Sequence, residues 1–460
     1  MAQRAVQSWA FRLGLYISLA GLCASCGADS GQPNSEFHSP SDAARNDEAE
    51  PPITSDAAGA SDAELDQGSP PFGNDGGSDA PIGAGGATQI VVSAGMFDRT
   101  NAIVSFAFPA GAGKSLVLHD AQGSQLPLQV DKSGNATFIL PTLRAGMQAT
   151  FDVVESPQPA AITAVKEADG IRLTIGSTTL FRYQMQGKLP PGIDAVYLRG
   201  GYIHPLYTPA GIQVTDDYPP DHRHHHGIWG AWTKTMFNGH TIDFWIMGER
   251  TAKVDFESLE GTWDGPVHAG LRAHHVYVDL AGAQPTTALR EVWVVTAYKT
   301  HQGAAPYFIF DVDSVQETAT NMPVVFEQYL YGGFAIRGAA EWRTQATFLT
   351  SEGKDRISGD GTNARWCYIG GLVNAKQAGY AVLGHPTNFR APQPLRIHPD
   401  NPYATFSPVK DSGFSIVPGM PYRTRLRFVA TDGPPDKALL DRMWNDFATP
   451  PAVSVRSTAP

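Results

Sequence analysis

The chain has 460 residues, too many for one small core, so two folded domains are expected. It carries 34 basic and 45 acidic side chains, net −11; residues 1–26 contribute +2 and residues 27–87 contribute −11, so the remaining −2 belongs to 88–460. A nearly neutral body with no basic patch excludes nucleic acid as an expected partner.

At the N-terminus, Arg4 and Arg12 precede an apolar run, Leu13 to Leu22, followed by Cys-Ala-Ser-Cys-Gly. This is the pattern of an export signal over residues 1–26. Ser25-Cys26 resembles a bacterial lipobox, although Cys23 stands where leucine is usual. The expectation is an exported lipoprotein held to a membrane through a lipid on Cys26, on the periplasmic or outer-membrane face, or a secreted protein if no lipid is added. No later apolar run reaches the roughly 18 residues that a spanning helix needs. With Cys26 acylated and Cys23 in the signal, Cys367 is left without a disulfide partner, as a small buried hydrophobe or a nucleophile.

Residues 27–87 are rich in Gly, Ala, Ser, Pro and Asp, hold twelve carboxylates and one arginine, and have few large apolar residues. Such a segment buries too little surface to offset its ordering entropy, which predicts a disordered acidic linker. From 88 to 157 short apolar–polar alternations (TQIVVSA, AIVSFAF, KSLVLHD, ATFILP) separated by turn residues predict a small β-sandwich. From 160 to 448 the strands lengthen and gain aromatics, as in LREVWVVTAYK and YFIFDVDSVQE. So many strands without a 20- to 50-residue repeat predict a large antiparallel β-supersandwich, not a propeller. Helical periodicity is clear only in DKALLDRMWNDFA, and residues 449–460 read as a C-terminal tail. The fold class is therefore all-β.

Six of the fourteen histidines lie between Tyr202 and Glu249, at His204, His222, His224, His225, His226 and His240. Histidine is costly to bury and packs poorly, so its clustering with carboxylates and tryptophans marks a polar pocket. If DHRHHHGIWGAW is a strand, His222, His224 and His226 share a face. If Pro219-Pro220 opens a helical turn, His222 pairs with His225 and His226. Either path puts imidazoles, with a pKa near working pH, where they can move protons. A divalent metal is admitted, held by His222, His224 and His240, although no strong metal-binding spacing and no HExxH is present.

Three further stretches carry polar or aromatic groups. Asp243 and Trp245, two apart, share a face if they lie on a strand, offering an acceptor and a flat wall to a sugar; a buried Trp beside a solvated Asp is the plain alternative. Around Tyr329, Glu327 supplies a second carboxylate and Arg337 a donor fork, or the two merely neutralise each other. The proline-rich stretch GHPTNFRAPQPLRIHP adds His385, Asn388 and His398, and Trp366 offers another aromatic surface. There is no GxSxG, Walker A loop or dinucleotide fingerprint, which disfavours acyl, phosphoryl and hydride transfer.

The segments HPLYTPAG, DDYPPDHRHHHGIWGAW, DFW, YGGFAIR and HPTNFRAPQP resemble a bacterial family of unassigned function, often labelled methane oxygenase PmoA-like. The resemblance covers about residues 88 to 445. It implies a galactose-mutarotase-like supersandwich and carries over Asp221, His222, His224, His225 and Gly227, with His204, Asp243, Trp245, Arg337, His385 and Asn388. This chain departs from the family pattern at Arg223, where proline is usual, and at His226, where arginine is usual. Families of this kind accompany sugar-degrading and sugar-oxidising proteins, which implies a saccharide or glycoside as substrate. The combined expectation is acid–base chemistry by His222, His225, Asp243 and Glu327 (hydrolysis, elimination or epimerisation), with substrate held by His204, His224, Trp245, Arg337, Trp366, His385 and Asn388. A non-catalytic glycan binder and a metal-dependent oxidoreductase are the alternatives.

Overall fold

The computed structural model describes residues 88–300 and 305–457. The expected signal, the expected lipidation site Cys26 and the expected acidic linker lie outside the described residues. No helix among those described is long and apolar enough to cross a membrane.

The first module is a seven-stranded antiparallel sheet, in the order Arg99–Ala107, Asn135–Leu143, Gln125–Val130, Ser115–His119, Gln148–Glu155, Thr88–Ser93 and Ala452–Ser457. Alternation along each strand sends Ile90, Val104, Leu118, Phe138 and Phe151 into one shared core. Phe138 and Phe151 come from strands three places apart in the sheet, yet their rings meet at 5.9 Å, so the sheet curls over on itself. Its last strand corrects the reading of residues 449–460 as a tail. Residues 452–457 pair in register with Thr88–Ser93, and Val453 and Val455 pack on the module's core. Alternating Val and polar residues suit an edge strand, but so short a run is invisible to pattern alone.

The large module stacks two eight-stranded antiparallel sheets. One runs Leu395–Ile397, Tyr403–Phe406, Gly333–Arg337, Ile228–Ala231, Tyr202–Leu206, Thr178–Gln184, Gly170–Ile175, Ile162–Lys166. The other runs Ala252–Trp263, His268–Asp279, Thr286–Tyr298, Tyr307–Thr318, Tyr422–Asp432, Lys376–Gly384, Trp366–Val373, Thr347–Thr350. Phe181, Ile203, Ile228, Phe334 and Ile336 of the first sheet meet Trp293, Phe310, Cys367, Val382 and Phe428 of the second in one buried core. A separate four-stranded sheet (His240–Ile242, Thr235–Phe237, Val324–Phe326, Phe414–Ile416) builds its own cluster around Trp232 and Phe326. Cys367 is fully buried in the core and burial pushes its thiol up to about 12, so it is no nucleophile.

The helix Lys437–Ala448 begins at Asp436, whose side chain accepts from the Leu439 N–H. It packs Leu440, Met443 and Phe447 on the outer face of the second large sheet, against Trp366, Leu383 and Val429. From the first module Ile103 joins the same cluster, and Arg99 reaches Asp446 at 2.8 Å with both side chains buried.

Candidate functional site

The site stands on the outer face of the first large sheet. Alternation puts it there: Ile203, Ile228, Ile336 and Ala404 enter the core, while Tyr202, Trp229, Ala335 and Tyr403 face outward and pack together. Arg337 falls on the outward set and pairs in register with Tyr403. Over this face lies the connection 207–227, which carries the histidines. It is neither strand nor helix. The His222 N–H bonds to Pro219 O at 3.1 Å, the His225 N–H to His222 O at 2.9 Å, and the Tyr218 N–H to His225 O at 3.1 Å. These turns stack His222 on His225, with ring centroids 4.5 Å apart and planes at 16°, and send His226 elsewhere. Gly227 closes the loop where a Cβ would come within 2.4 Å of Ile203 O.

At the centre stands Asp221. It accepts from His222 Nδ1 at 2.8 Å and from Arg337 Nη2 at 2.9 and 2.8 Å. Burial alone would raise its pKa, but the bonds and charges of His222 and Arg337 outweigh that and hold it well below the usual carboxylate range. With Nδ1–H fixed on a carboxylate, Nε2 is the basic nitrogen of His222. Arg337 Nη1 lies 3.4 Å from His225 Nδ1. His225 is fully buried, and that burial, then the neighbouring charges, keeps its ring neutral. Its Nε2 and the Nε1 of Trp229 are buried without a hydrogen-bond partner among the described residues. Unsatisfied groups of this kind cost roughly 1–3 kcal/mol each and tend to gather at working sites. The rings of His224, His398 and Tyr403 lie 5.6, 5.7 and 6.1 Å from that of His222.

A second polar cluster sits beside the first. Asp217 accepts from Tyr202 Oη at 2.9 Å and from His226 Nδ1 at 2.7 Å, and burial pushes its carboxyl up to about 6. Burial likewise keeps His226 neutral. His204, its pKa lowered by burial, bonds through Nδ1 to Thr215 Oγ1 at 3.0 Å.

Several expected members are elsewhere or play other parts. Asp243 accepts from Thr233 Oγ1 at 2.6 Å and from the Trp245 and Ile246 N–H groups at 2.7 and 2.6 Å. It is a buried turn-forming group that aims Trp245, not an acid or base facing the histidines. Trp245 itself is 1% exposed, closed between Trp229 and Tyr331, and offers no open face. Glu327 is exposed just after the small-sheet strand Val324–Phe326, whereas Arg337 is buried with its guanidinium on Asp221. Trp366 points out of the other large sheet and donates from Nε1 to Asp441 under the C-terminal helix. His385 and Asn388 form a cluster of their own. Asn388 clamps the Arg425 backbone through bonds of 2.9 and 2.8 Å, while His385 touches Arg425 and Phe447 and is lowered to about 4, first by burial. His240 lies in a hairpin of the small sheet, so the set His222, His224 and His240 does not assemble. No group of three or more His, Cys, Asp or Glu among the described residues is arranged to hold a metal ion.

Sequence reasoning named Asp221 and His398 without giving either a role in the site, and it missed Tyr403. Adjacency to His222 was a signal for Asp221. Tyr403 reaches the site only through its register with Arg337, which no local pattern encodes.

Fold and site together define an antiparallel β-supersandwich protein with an arginine-clamped Asp–His pair on the outer face of one sheet. The chain belongs to a family of unknown function (DUF6807), whose model matches residues 170–445 and so leaves out the first module. No curated protein matches. Among solved structures the chain is similar to an alpha-mannosidase from Enterococcus faecalis V583, at 7% identity and a TM-score of 0.35. That match covers 81% of this chain and 46% of the mannosidase, about half its length. It is also similar to a galactose mutarotase related enzyme from Lactobacillus acidophilus, at 8% identity and a TM-score of 0.23, over 59% of this chain and 97% of that one.

Proposed function

We propose that this is an exported carbohydrate-active enzyme in which His222, held by Asp221, exchanges a proton with a saccharide or glycoside. The observation that carries the reading is the double engagement of one carboxylate, by His222 Nδ1 and by both Arg337 bonds. A carboxylate so clamped stays ionised, fixes the imidazole tautomer and stabilises the imidazolium formed when Nε2 takes a proton. His222 is 8% exposed and Asp221 keeps a third of its side chain open, so a hydroxyl of a ligand can approach this edge.

The same exposure pattern favours turnover over plain binding. A stacking binder needs open aromatic faces, and Trp229 and Trp245 are closed off. Proton exchange with an alcohol or an acidic carbon next to a carbonyl covers hydrolysis, elimination and epimerisation. A panel of bacterial and plant glycans incubated with the full chain and scanned for new reducing ends, unsaturated ends and inverted centres tests the proposal. New ends or inverted centres absent with His222→Gln support it. Retention of a glycan without any chemical change would assign the surface to binding instead.

A further inference from the structure

The connection that carries Asp221 and His222 also lines, through its residues 210–216, a cleft of about 590 Å³ in the large module, within the size range of small-molecule sites. It lies between the 210–216 segment, the 339–341 segment and the tip of the hairpin Trp366–Val373/Lys376–Gly384. Gln213, Asp216, Glu341, Asn374 and Lys376 line it.

Its walls are fixed. Asp432 accepts from Thr208 Oγ1 and, at 3.0 Å, from the Ala210 N–H, which ties down the first wall. The hairpin tip turns through Asn374 and Ala375 at φ 48° and 61°, the paired left-handed conformation of a tight two-residue turn. The cleft is also tied to the site by the backbone. The Asp216 N–H points at Arg337 O at 3.4 Å, and Thr215 bridges Gly338. The residue whose guanidinium holds Asp221 is thus one backbone contact away from Asp216, which lines the cleft.

The lining chemistry narrows the occupant. Two amides, two carboxylates and one ammonium intersperse donors and acceptors. A net negative lining disfavours phosphates and other anions. Ile212 and Val373 are the largest apolar side chains of the lining, which gives an acyl chain or aromatic ring little to pack on. We infer that this cleft receives the continuation of a neutral saccharide chain whose reacting unit lies at His222, so the protein takes oligosaccharides in preference to single sugars. This rests on the saccharide reading of the site.

The test is calorimetric titration of the full chain with β-1,4-linked glucose, mannose and xylose pentasaccharides and with the three monosaccharides. Wild type is expected to bind at least one pentasaccharide about tenfold or more tighter than its monosaccharide. Ala340→Trp, an exposed lining position, is expected to abolish that ratio, and Glu341→Gln to reduce it, with an unchanged melting temperature reporting an intact fold. Equal affinity for short and long sugars, or a ratio that survives in both variants, overturns the cleft assignment while leaving the His222 reading in place. If wild type binds none of these sugars at any length, the cleft assignment falls, while the His222 reading is decided separately by the glycan panel.

Discussion

Arg337 donates from Nη2 to both oxygens of Asp221, at 2.9 and 2.8 Å, across a separation of 116 residues in sequence. The arginine ends a core strand and the aspartate rides on the loop above it, so this contact fixes the histidine loop to the sheet. Replacing Asp221 by Asn removes the charge without changing the shape. Turnover is then expected to fall on the order of 10²-fold or more, because His222 loses both its tautomer and the partner of its imidazolium. Steady-state kinetics on a glycan found by the panel, alongside thermal melting, separates this from unfolding; unaltered turnover in Asp221→Asn contradicts it.

His225 behaves differently from His222. Its ring is fully buried against Trp229, Tyr403 and His222, so His225→Ala opens a cavity. A stability loss of roughly 2–5 kcal/mol is expected, in the range of other large-to-small core changes. His222→Gln, which keeps an N–H donor for Asp221 and much of the ring's volume, is expected to cost less, about 1 kcal/mol. Chemical denaturation of the two variants checks the contrast, and equal losses would place both rings in the same role.

The buried Arg99–Asp446 pair joins the first module to the C-terminal helix. Asp446→Ala leaves a buried guanidinium uncompensated, at a cost of about 3–5 kcal/mol. Denaturant titration reads this directly. A loss below about 1 kcal/mol would mean that the helix is held by Leu440, Met443 and Phe447 alone.

Acid should destabilise the fold through its neutral histidines. His268, lowered to about 4 first by burial, accepts from Trp263 Nε1 at 2.9 Å on Nδ1, and His385 is lowered to about 4 as well. A histidine with a depressed folded pKa contributes stability that is present above its unfolded value near 6.5 and is lost as pH falls from there toward 4. Asp217 runs the other way: raised to about 6, it contributes stability below its unfolded value near 3.8 that is lost as pH rises through 6. His268→Gln is therefore expected to flatten the fall in stability between pH 6.5 and 4, and Asp217→Asn to steepen it. Melting temperatures across that interval test both signs.

Much of the fold was legible because its causes are local. Alternation in LREVWVVTAYK or YFIFDVDSVQE records which face each residue buries, and the capped helix after Asp436 announces itself by period. The closing strand Ala452–Ser457 was not, since its partner lies more than 350 residues away. The histidine stretch marked the site, but its path did not follow from spacing. Two consecutive turns place His222 over His225 and turn His226 toward Asp217, an arrangement decided by the Arg337–Asp221 bond and by the tight passage at Gly227. Asp243, Trp366, His385 and Asn388 are the type of residue a site uses, and each is consumed by a structural partner that only the tertiary fold supplies.

In the proposed chemistry Nε2 of His222 exchanges protons while Nδ1–H stays on Asp221. Nitrogen-detected NMR of histidine-labelled protein, titrated across neutral pH, reads both nitrogens. The expected result is a ring protonated on Nδ1 whose Nε2 titrates, with the titration lowered by Asp221→Asn. A His222 ring that carries its neutral-form proton on Nε2, or that is indifferent to Asp221→Asn, would contradict it.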